Sequence, residues 1–206
     1  MSDNMHNHPA VHRDDEAKKL GMWLFLFTEL LLFGGLFLVY SIYRFKNSQD
    51  FANGAHELNV FIGTLNTIVL ITSSLTVALS ITAIQKGKKK LALGLVIFTI
   101  FCAFIFLVNK YFEWGHKIHM DLYPGTPLFK ALNPGEGLFF LLYYFMTGLH
   151  ALHVIVGAVI LGFMAWYIHK DVITSDYFVL LENGGLYWHL VDLIWIFLFP
   201  LMYLIH

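Results

Sequence analysis

The stretch at residues 182–204, ENGGLYWHLVDLIWIFLFPLMYL, is apolar and long enough to cross a membrane, yet it carries three ionisable side chains. Glu182, His189 and Asp192 stand seven and three residues apart, so they share one face of a helix. Ionisable groups inside a membrane segment face a bundle interior or a wet cavity and have partners there. We therefore expect this face to meet polar groups from other segments or from another chain.

The composition indicates a membrane protein. Of 206 residues, 58% are hydrophobic and 13% are charged, whereas soluble proteins average roughly 25% charged residues. None of the apolar runs alternates like a barrel strand, and backbone groups in lipid must be satisfied within their own segment. We therefore predict an all-α polytopic membrane protein, a bundle of five transmembrane helices. The predicted spans cover residues 20–43, 58–84, 91–114, 138–169 and 177–205 of a transmembrane domain at 20–206, which follows a polar N-terminal tail at 1–19 and includes a proline-containing surface loop at 116–137.

The distribution of Lys and Arg predicts the orientation. Eight lie in the N-terminal tail, in the turn at 85–90 and in the fourth connection, whereas the other side has five. The positive-inside rule then puts the N-terminus in the cytoplasm and the C-terminus outside, and we expect a multi-pass protein of the bacterial cytoplasmic (inner) membrane. A net charge of -1 gives no reason to expect a nucleic-acid partner. The one cysteine, Cys102, excludes an internal disulfide and a multi-thiolate metal site.

Glu29 lies inside the first predicted span, within the run TELLLFGGLF. A charged carboxylate is costly there unless a cation, hydrogen bonds or a lipid head group lies nearby. Two interpretations stay open. Glu29 is either a protonated acid that is hydrogen-bonded to a neighbouring helix, or a group that handles protons or contacts lipid.

His150 and His153 stand three residues apart on one face of the fourth span. Two metal ligands can use this spacing, with His189 and Asp192 of the last span as further ligands. The alternative is a buried network of interhelical hydrogen bonds, which we favour because the sequence shows no open coordination position. The members of this network would be His150, His153, Glu182, His189 and Asp192.

Smaller polar features point to packing within the bundle. The second span is dense in Ser, Thr and Asn between residues 64 and 76, which we interpret as positions of close packing and cross-helix hydrogen bonds. Lys110 and Glu113 are three residues apart in the third span and can pair along the helix. We interpret Glu113, Trp114 and Trp188 as anchors at the membrane interface, where Trp is common. The chain has no phosphate-binding loop, dinucleotide fingerprint or nucleophile elbow.

Taken together, these motifs resemble subunit III of the haem-copper respiratory oxidases, the family of cytochrome c oxidase and quinol oxidase subunit III. The resemblance covers all five spans in order. Many members have seven helices, and this chain resembles the short five-helix form. The matching segments are KLGMWLFLFTELLLFGG at 19–35, NTIVLITSS at 66–74, KYFEWGHKI at 110–118, MTGLHALHVIVG at 146–157 and ENGGLYWHLVDLIWIFLFPLMYL at 182–204.

The resemblance implies a non-catalytic accessory and structural subunit of an aerobic terminal oxidase. Such a chain binds no haem or copper itself and docks on the catalytic subunit I, with subunit II and subunit IV as further expected partners. In the family, subunit III is associated with bound phospholipid, with sustained proton uptake and with protection of the catalytic centre against turnover-dependent inactivation. Glu29 matches the intramembrane glutamate that reacts with carbodiimides in mitochondrial-type members. The longer members hold lipid between their first two helices and the other five, so phospholipid here would need another chain to complete its site.

Two other functions stay open. A stand-alone small proton channel or transporter would use Glu29 and the polar face of the last helix. An accessory subunit of a nitric oxide reductase system would share this fold, and the catalytic subunit that co-purifies with the chain would distinguish it from an oxidase subunit.

Overall fold

The computed structural model describes residues 15–205, with side chains from residue 16 onward. Five helices in this part of the chain are long and apolar enough to cross a membrane, and two short helices lie between them. The prediction of an all-α membrane protein with five spanning helices is confirmed. Of the predicted N-terminal tail, residues 1–14 lie outside the described part, and the rest belongs to the first helix. The helices are α1 (Asp15–Lys46), α2 (Ser48–His56), α3 (Val60–Gln85), α4 (Lys89–His119), α5 (Pro127–Ala131), α6 (Pro134–His169) and α7 (Val179–Tyr203).

Four of the long helices form a closed bundle, and the fifth packs on its outside. α3 contacts α4 and α7, and α6 contacts the same two helices from the other side. α1 lies against α6 and α7. The apolar window of α7 is 56% buried, whereas that of α1 is 11% buried. α7 is therefore the most enclosed span, and α1 presents most of its surface outward.

The segment at 116–137 contains more helix than the predicted surface loop. α4 continues to His119, α5 follows after a turn, and α6 begins at Pro134. The hydroxyl of Thr126 accepts a hydrogen bond from the backbone N–H of Phe129 at the start of α5 (3.4 Å). A proline opens both α5 and α6, where its missing N–H would have had no partner and its fixed φ suits a helix. Two of the three prolines that indicated a loop therefore start helices.

The short helix α2 lies between the first two spans, where the sequence predicted a connection only. Its Phe51 is fully buried and packs between Tyr40 of α1 and Phe139 of α6, with ring centroids 5.5 Å from each. The hydroxyl of Tyr40 also donates a hydrogen bond to the carbonyl oxygen of Leu201. These contacts attach the end of α1 to the bundle.

The centre of the bundle is built around two tryptophans of α7. Trp195 packs against Phe106 of α4 and His150 of α6, with ring centroids 4.9 and 5.2 Å away. Trp188 lies over Gly157 of α6, where an added Cβ would approach the indole ring to 2.9 Å. Glycine at this position lets α6 and α7 approach closely, as small residues do in membrane bundles.

Candidate functional site

The carboxyl group of Glu29 meets the imidazole of His153 between α1 and α6. Oε2 of Glu29 lies 3.0 Å from Nε2 of His153. The two side chains are only 15% and 13% exposed. Phe33 packs edge to face on the imidazole at 5.3 Å, and the hydroxyl of Tyr187 donates to the His153 carbonyl oxygen at 3.3 Å. One of the two interpretations of Glu29 places a hydrogen bond to a neighbouring helix, and the helix that contacts Glu29 in this way is α6.

Hydrogen-bond chemistry determines how many protons this pair holds. Nδ1 of His153 lies 2.8 Å from the carbonyl oxygen of Leu149, which can only accept, so Nδ1 carries a proton. One further proton then lies between Nε2 and Glu29. The pair is either a neutral carboxylic acid with a neutral imidazole or a carboxylate with an imidazolium. The net charge is zero in both forms.

A second polar site is buried where α4, α6 and α7 meet. Oε1 of Glu113 accepts hydrogen bonds from the hydroxyls of Tyr143 (2.7 Å) and Tyr203 (2.6 Å). Its Oε2 lies 3.1 Å from Nζ of Lys110, which also donates to Tyr203 at 2.5 Å. Lys110 is 3% exposed and Glu113 5% exposed. The ammonium group lies 4.9 Å from the centre of the Trp195 ring, a cation–π distance. We refer to Lys110, Glu113, Tyr143 and Tyr203 as the Glu113 cluster.

The Glu113 cluster confirms one prediction and corrects another. Lys110 and Glu113 pair along α4 as their spacing predicted. Glu113 is not an exposed interface anchor, because three donors from three helices hold its carboxylate inside the bundle. Trp188 is also fully buried rather than an interface anchor, since its indole N–H donates to Ser73 Oγ at 3.0 Å. Trp114 is partly buried and packs on Tyr144, with ring centroids 5.8 Å apart.

Small polar side chains of α3 form hydrogen bonds to both neighbouring helices. Toward α7, Thr67 accepts from the indole N–H of Trp195 at 3.0 Å, and Ser74 Oγ lies 2.6 Å from Nδ1 of His189. Toward α4, the hydroxyls of Thr76 and Thr99 lie 2.8 Å apart. The packing role predicted for residues 64–76 is confirmed for these three side chains, whereas Thr64 and Thr72 are exposed and bond to carbonyl oxygens of α3 itself.

The five residues predicted as one network are distributed over separate contacts. His153 pairs with Glu29 and His189 with Ser74, while Glu182 forms an ion pair with Lys19 at 3.1 Å. His150 and Asp192 are buried, and their side-chain polar atoms have no hydrogen-bond partner within residues 15–205. The polar face of α7 points to α1 and α3 rather than to the two imidazoles of α6, so the predicted single network does not form.

The alternative of a metal bound by these residues is also not supported by their placement. Among residues 15–205, no three side chains of His, Cys, Asp or Glu come close enough to hold a metal ion together. His150 is enclosed by the rings of Phe106 and Trp195. His153 instead faces α1.

Tyr143 and Tyr203 are the site residues that sequence reasoning missed. Both lie in long apolar runs, where tyrosine is unremarkable, and both are at most 1% exposed. The one signal available was the buried Lys110–Glu113 pair itself, because a carboxylate in a bundle needs more donors than one ammonium group supplies.

A family model and individual known proteins that match the chain agree on one protein family. The family model described as cytochrome c oxidase subunit III matches residues 5–206. The chain is 30% identical to "Cytochrome c oxidase subunit 3" of Thermostichus vulcanus, over 98% of its own length and 92% of that protein. It is 28% identical to "Cytochrome bo(3) ubiquinol oxidase subunit 3" of Pseudomonas putida, over 94% and 88%. It is also 30% identical to "Heme-copper oxidase subunit I+III" of Aeropyrum pernix over 89% of its own length, and it spans 22% of that longer protein.

Proposed function

Because the chain belongs to the cytochrome c oxidase subunit III family, we propose that it is a non-catalytic accessory subunit that supports oxygen reduction and proton translocation by the catalytic subunit of a haem-copper oxidase. The single observation that carries this proposal is the family match over residues 5–206, which includes all five spans. The name of the Aeropyrum relative joins subunits I and III, which supports direct contact of this chain with subunit I. Haem and copper are expected in the partner subunits.

The contacts inside the bundle are consistent with a supporting role. Glu29, Glu113 and His153 are each engaged by side chains from another helix. Groups used in this way hold helices together, and their chemistry needs no bound redox centre.

We propose the Glu29–His153 pair as the proton-holding site of this subunit. It lies between the outer helix α1 and the bundle, holds one shared proton, and keeps a small part of its surface exposed. A proton accepted from a neighbouring subunit or released to it would change the net charge of the pair, so the pair responds to charge nearby. Phospholipid beside α1 is a further expected partner, since α1 presents most of its surface outward.

The proposed location is the bacterial cytoplasmic membrane, with the N-terminus inside. Of the five Lys and Arg residues counted on the outer side, Lys110 and Lys117 are buried within the bundle, each 3% exposed. Lys117 donates to the carbonyl oxygen of Glu57 at 2.7 Å. Fewer basic side chains are thus free on the outer side than the sequence count gives, which supports this orientation.

Purification in mild detergent through a tag on this chain tests the proposal. We expect a complex that contains a haem-copper oxidase subunit I, with haem and copper absent when the chain is isolated alone. Co-purification with the catalytic subunit of a nitric oxide reductase would replace the proposal with the related alternative. Proton conduction by the chain alone in vesicles, abolished by Glu29→Gln, would instead support a channel.

A further inference from the structure

A continuous trough runs along the seam of α3 and α7 on the surface of the bundle. It has two sections of about 410 and 400 Å³, which share Ala78 and His189, and Lys19 and Trp23 of α1 also line the first section. The first section contains the Lys19–Glu182 ion pair, and the second extends to Asp192. We refer to it as the α3/α7 trough. All three ionisable residues of the polar face of α7 line it.

Asp192 is a buried carboxyl group of the α3/α7 trough that has unfilled acceptor positions. It is 3% exposed, and neither carboxyl oxygen has a hydrogen-bond partner in good geometry among the described residues. It lies roughly 20 Å along α7 from the first residue of the helix and about 17 Å from the last, at a rise of about 1.5 Å per residue. The donor close to it among the described residues is the hydroxyl of Ser74, which has a single proton and also lies 2.6 Å from Nδ1 of His189. A carboxyl group buried near the middle of a membrane with one shared hydroxyl as its donor is unfavourable, so Asp192 needs a further donor.

The depth of Asp192 restricts what can occupy the α3/α7 trough. Lipid acyl chains have no hydrogen-bond donor, and lipid head groups lie at the membrane surface, about 15 Å from the centre of the hydrocarbon. Water can bond to the polar side chains there, but most of the lining is apolar, and water gives no apolar contact to Leu75 and Leu193, which are 59% and 44% exposed. A transmembrane helix can supply both a donor side chain and an apolar surface.

The α3 wall has the pattern that helix contacts in membranes favour. Ser74 and Ala78 are small, stand four residues apart and line the same section of the trough. Small residues at this spacing let a second backbone approach closely. Leu75 of α3 and Leu193 of α7, which line the same section, then provide apolar contacts on the two sides of the approaching helix.

We propose that the α3/α7 trough binds a transmembrane helix of the catalytic subunit, which presents a hydroxyl, amide, indole or cationic donor to Asp192. The identity of the partner rests on the proposed function, whereas the location of the contact rests on the trough. Docking thereby adds a donor to the single hydroxyl that reaches Asp192 within this chain.

The first test fills the trough. Ala78→Phe puts a large side chain into it from an exposed position, so the isolated chain should fold as before. Thr72→Phe is the matched control, because Thr72 is exposed on α3 and does not line the trough. In complexes purified through this chain, we expect Ala78→Phe to lower the recovered catalytic subunit by at least about tenfold, the change that 1.4 kcal/mol produces, and Thr72→Phe to leave it unchanged. Equal recovery with both variants, high or low, overturns the trough as the docking site.

The second test identifies the occupant. A photo-crosslinking phenylalanine analogue at position 78 or 193, in the intact purified complex, should form an adduct with a transmembrane peptide of the catalytic subunit. An adduct with phospholipid only, or with a second copy of this chain, overturns the proposal. If wild-type chain recovers no oxidase subunit at all, it is the proposed function that fails, so the two failures are distinguishable.

The third test addresses the carboxyl group. Asp192→Asn keeps one acceptor oxygen, whereas Asp192→Leu removes both at similar volume. We expect Asp192→Asn to retain the partner and Asp192→Leu to lose it by several fold while the isolated chain keeps its thermal stability. Partner retention by Asp192→Leu would show that no donor reaches this residue.

Discussion

Oε2 of Glu29 lies 3.0 Å from Nε2 of His153, so that one proton is shared between α1 and α6. The carbonyl oxygen of Leu149 holds the other ring nitrogen at 2.8 Å and thereby determines the direction in which the imidazole points. The apolar window of α1 is only 11% buried, and this pair is a polar contact that joins α1 to the bundle, besides the contacts of Tyr40.

Glu29→Gln should separate the structural role of the pair from its proton. The amide N–H of glutamine can donate to Nε2 of His153, so subunit retention and the initial rate of oxygen consumption should match wild type. The amide cannot take up or release a proton near neutral pH. We therefore expect activity to decline faster during sustained turnover, measured as oxygen consumed before inactivation. Glu136→Gln, a change outside the pair, is the control, and unchanged turnover in Glu29→Gln would contradict the proton-holding role.

A double-mutant cycle on Glu29 and His153 should measure the strength of the contact. Glu29→Leu and His153→Leu each leave a partly buried partner unpaired and should each lower the free energy of unfolding by about 1–3 kcal/mol. The double variant should lose less than the sum, with a coupling energy of about 0.6–1.7 kcal/mol, as found for hydrogen bonds in membrane bundles. Unfolding in mixed micelles provides the measurement. Strict additivity would mean that the two side chains do not interact.

Removal of the Glu113 carboxylate should be among the most damaging single changes in this chain. Glu113→Leu leaves the ammonium group of Lys110 buried without its counter-ion, which should cost about 3–5 kcal/mol of stability. Tyr143→Phe and Tyr203→Phe each remove one donor and should cost about 1–2 kcal/mol. Lys110→Met in the Glu113→Leu background should restore part of the loss, because the unpaired charge is then gone. Glu57→Gln, at an exposed side chain, is the control, and equal stability of Glu113→Leu and this control would be incompatible with the cluster.

Gly157→Ala should destabilise the contact of α6 with α7. The new Cβ would lie 2.9 Å from the Trp188 ring, which cannot move away easily because it is fully buried and hydrogen-bonded to Ser73. Overpacking of this kind costs about 1–3 kcal/mol. Gly162→Ala on the same helix meets no atom within 4 Å and should change stability by less than about 0.5 kcal/mol. A thermal unfolding midpoint that is equal for the two variants would contradict the close packing.

The sequence predicts the helices well because their signals are local. Span length, apolarity and the i, i+3 pairing of Lys110 with Glu113 depend on neighbours in the chain. The partner of His153 is different. Its periodicity shows which face it shares with His150, but periodicity does not reveal which helix covers that face. The covering helix for His153 is α1, which is distant in sequence from α6.

Periodicity does not reveal which helix covers a given face. For this reason the predicted network and the predicted exposure of two interface anchors differ from the structure. Glu182, His189 and Asp192 do share one face, and that face lines the α3/α7 trough. Trp188 points into the bundle because Gly157 leaves room for its ring, a fit that depends on two helices at once. Tertiary contacts of this kind are set by shape complementarity between distant segments and leave no repeat in the sequence.

The central position of α7 has a consequence for biogenesis. Ribosomal synthesis delivers α7 after the other four spans, yet α7 supplies Trp188, Trp195 and Tyr203 to the interior. Before it arrives, the Lys110–Glu113 pair lacks one of its tyrosines and the serines of α3 lack their indole and imidazole partners. The nascent protein should therefore stay open, and exposed to membrane quality-control proteases, until translation passes the last span.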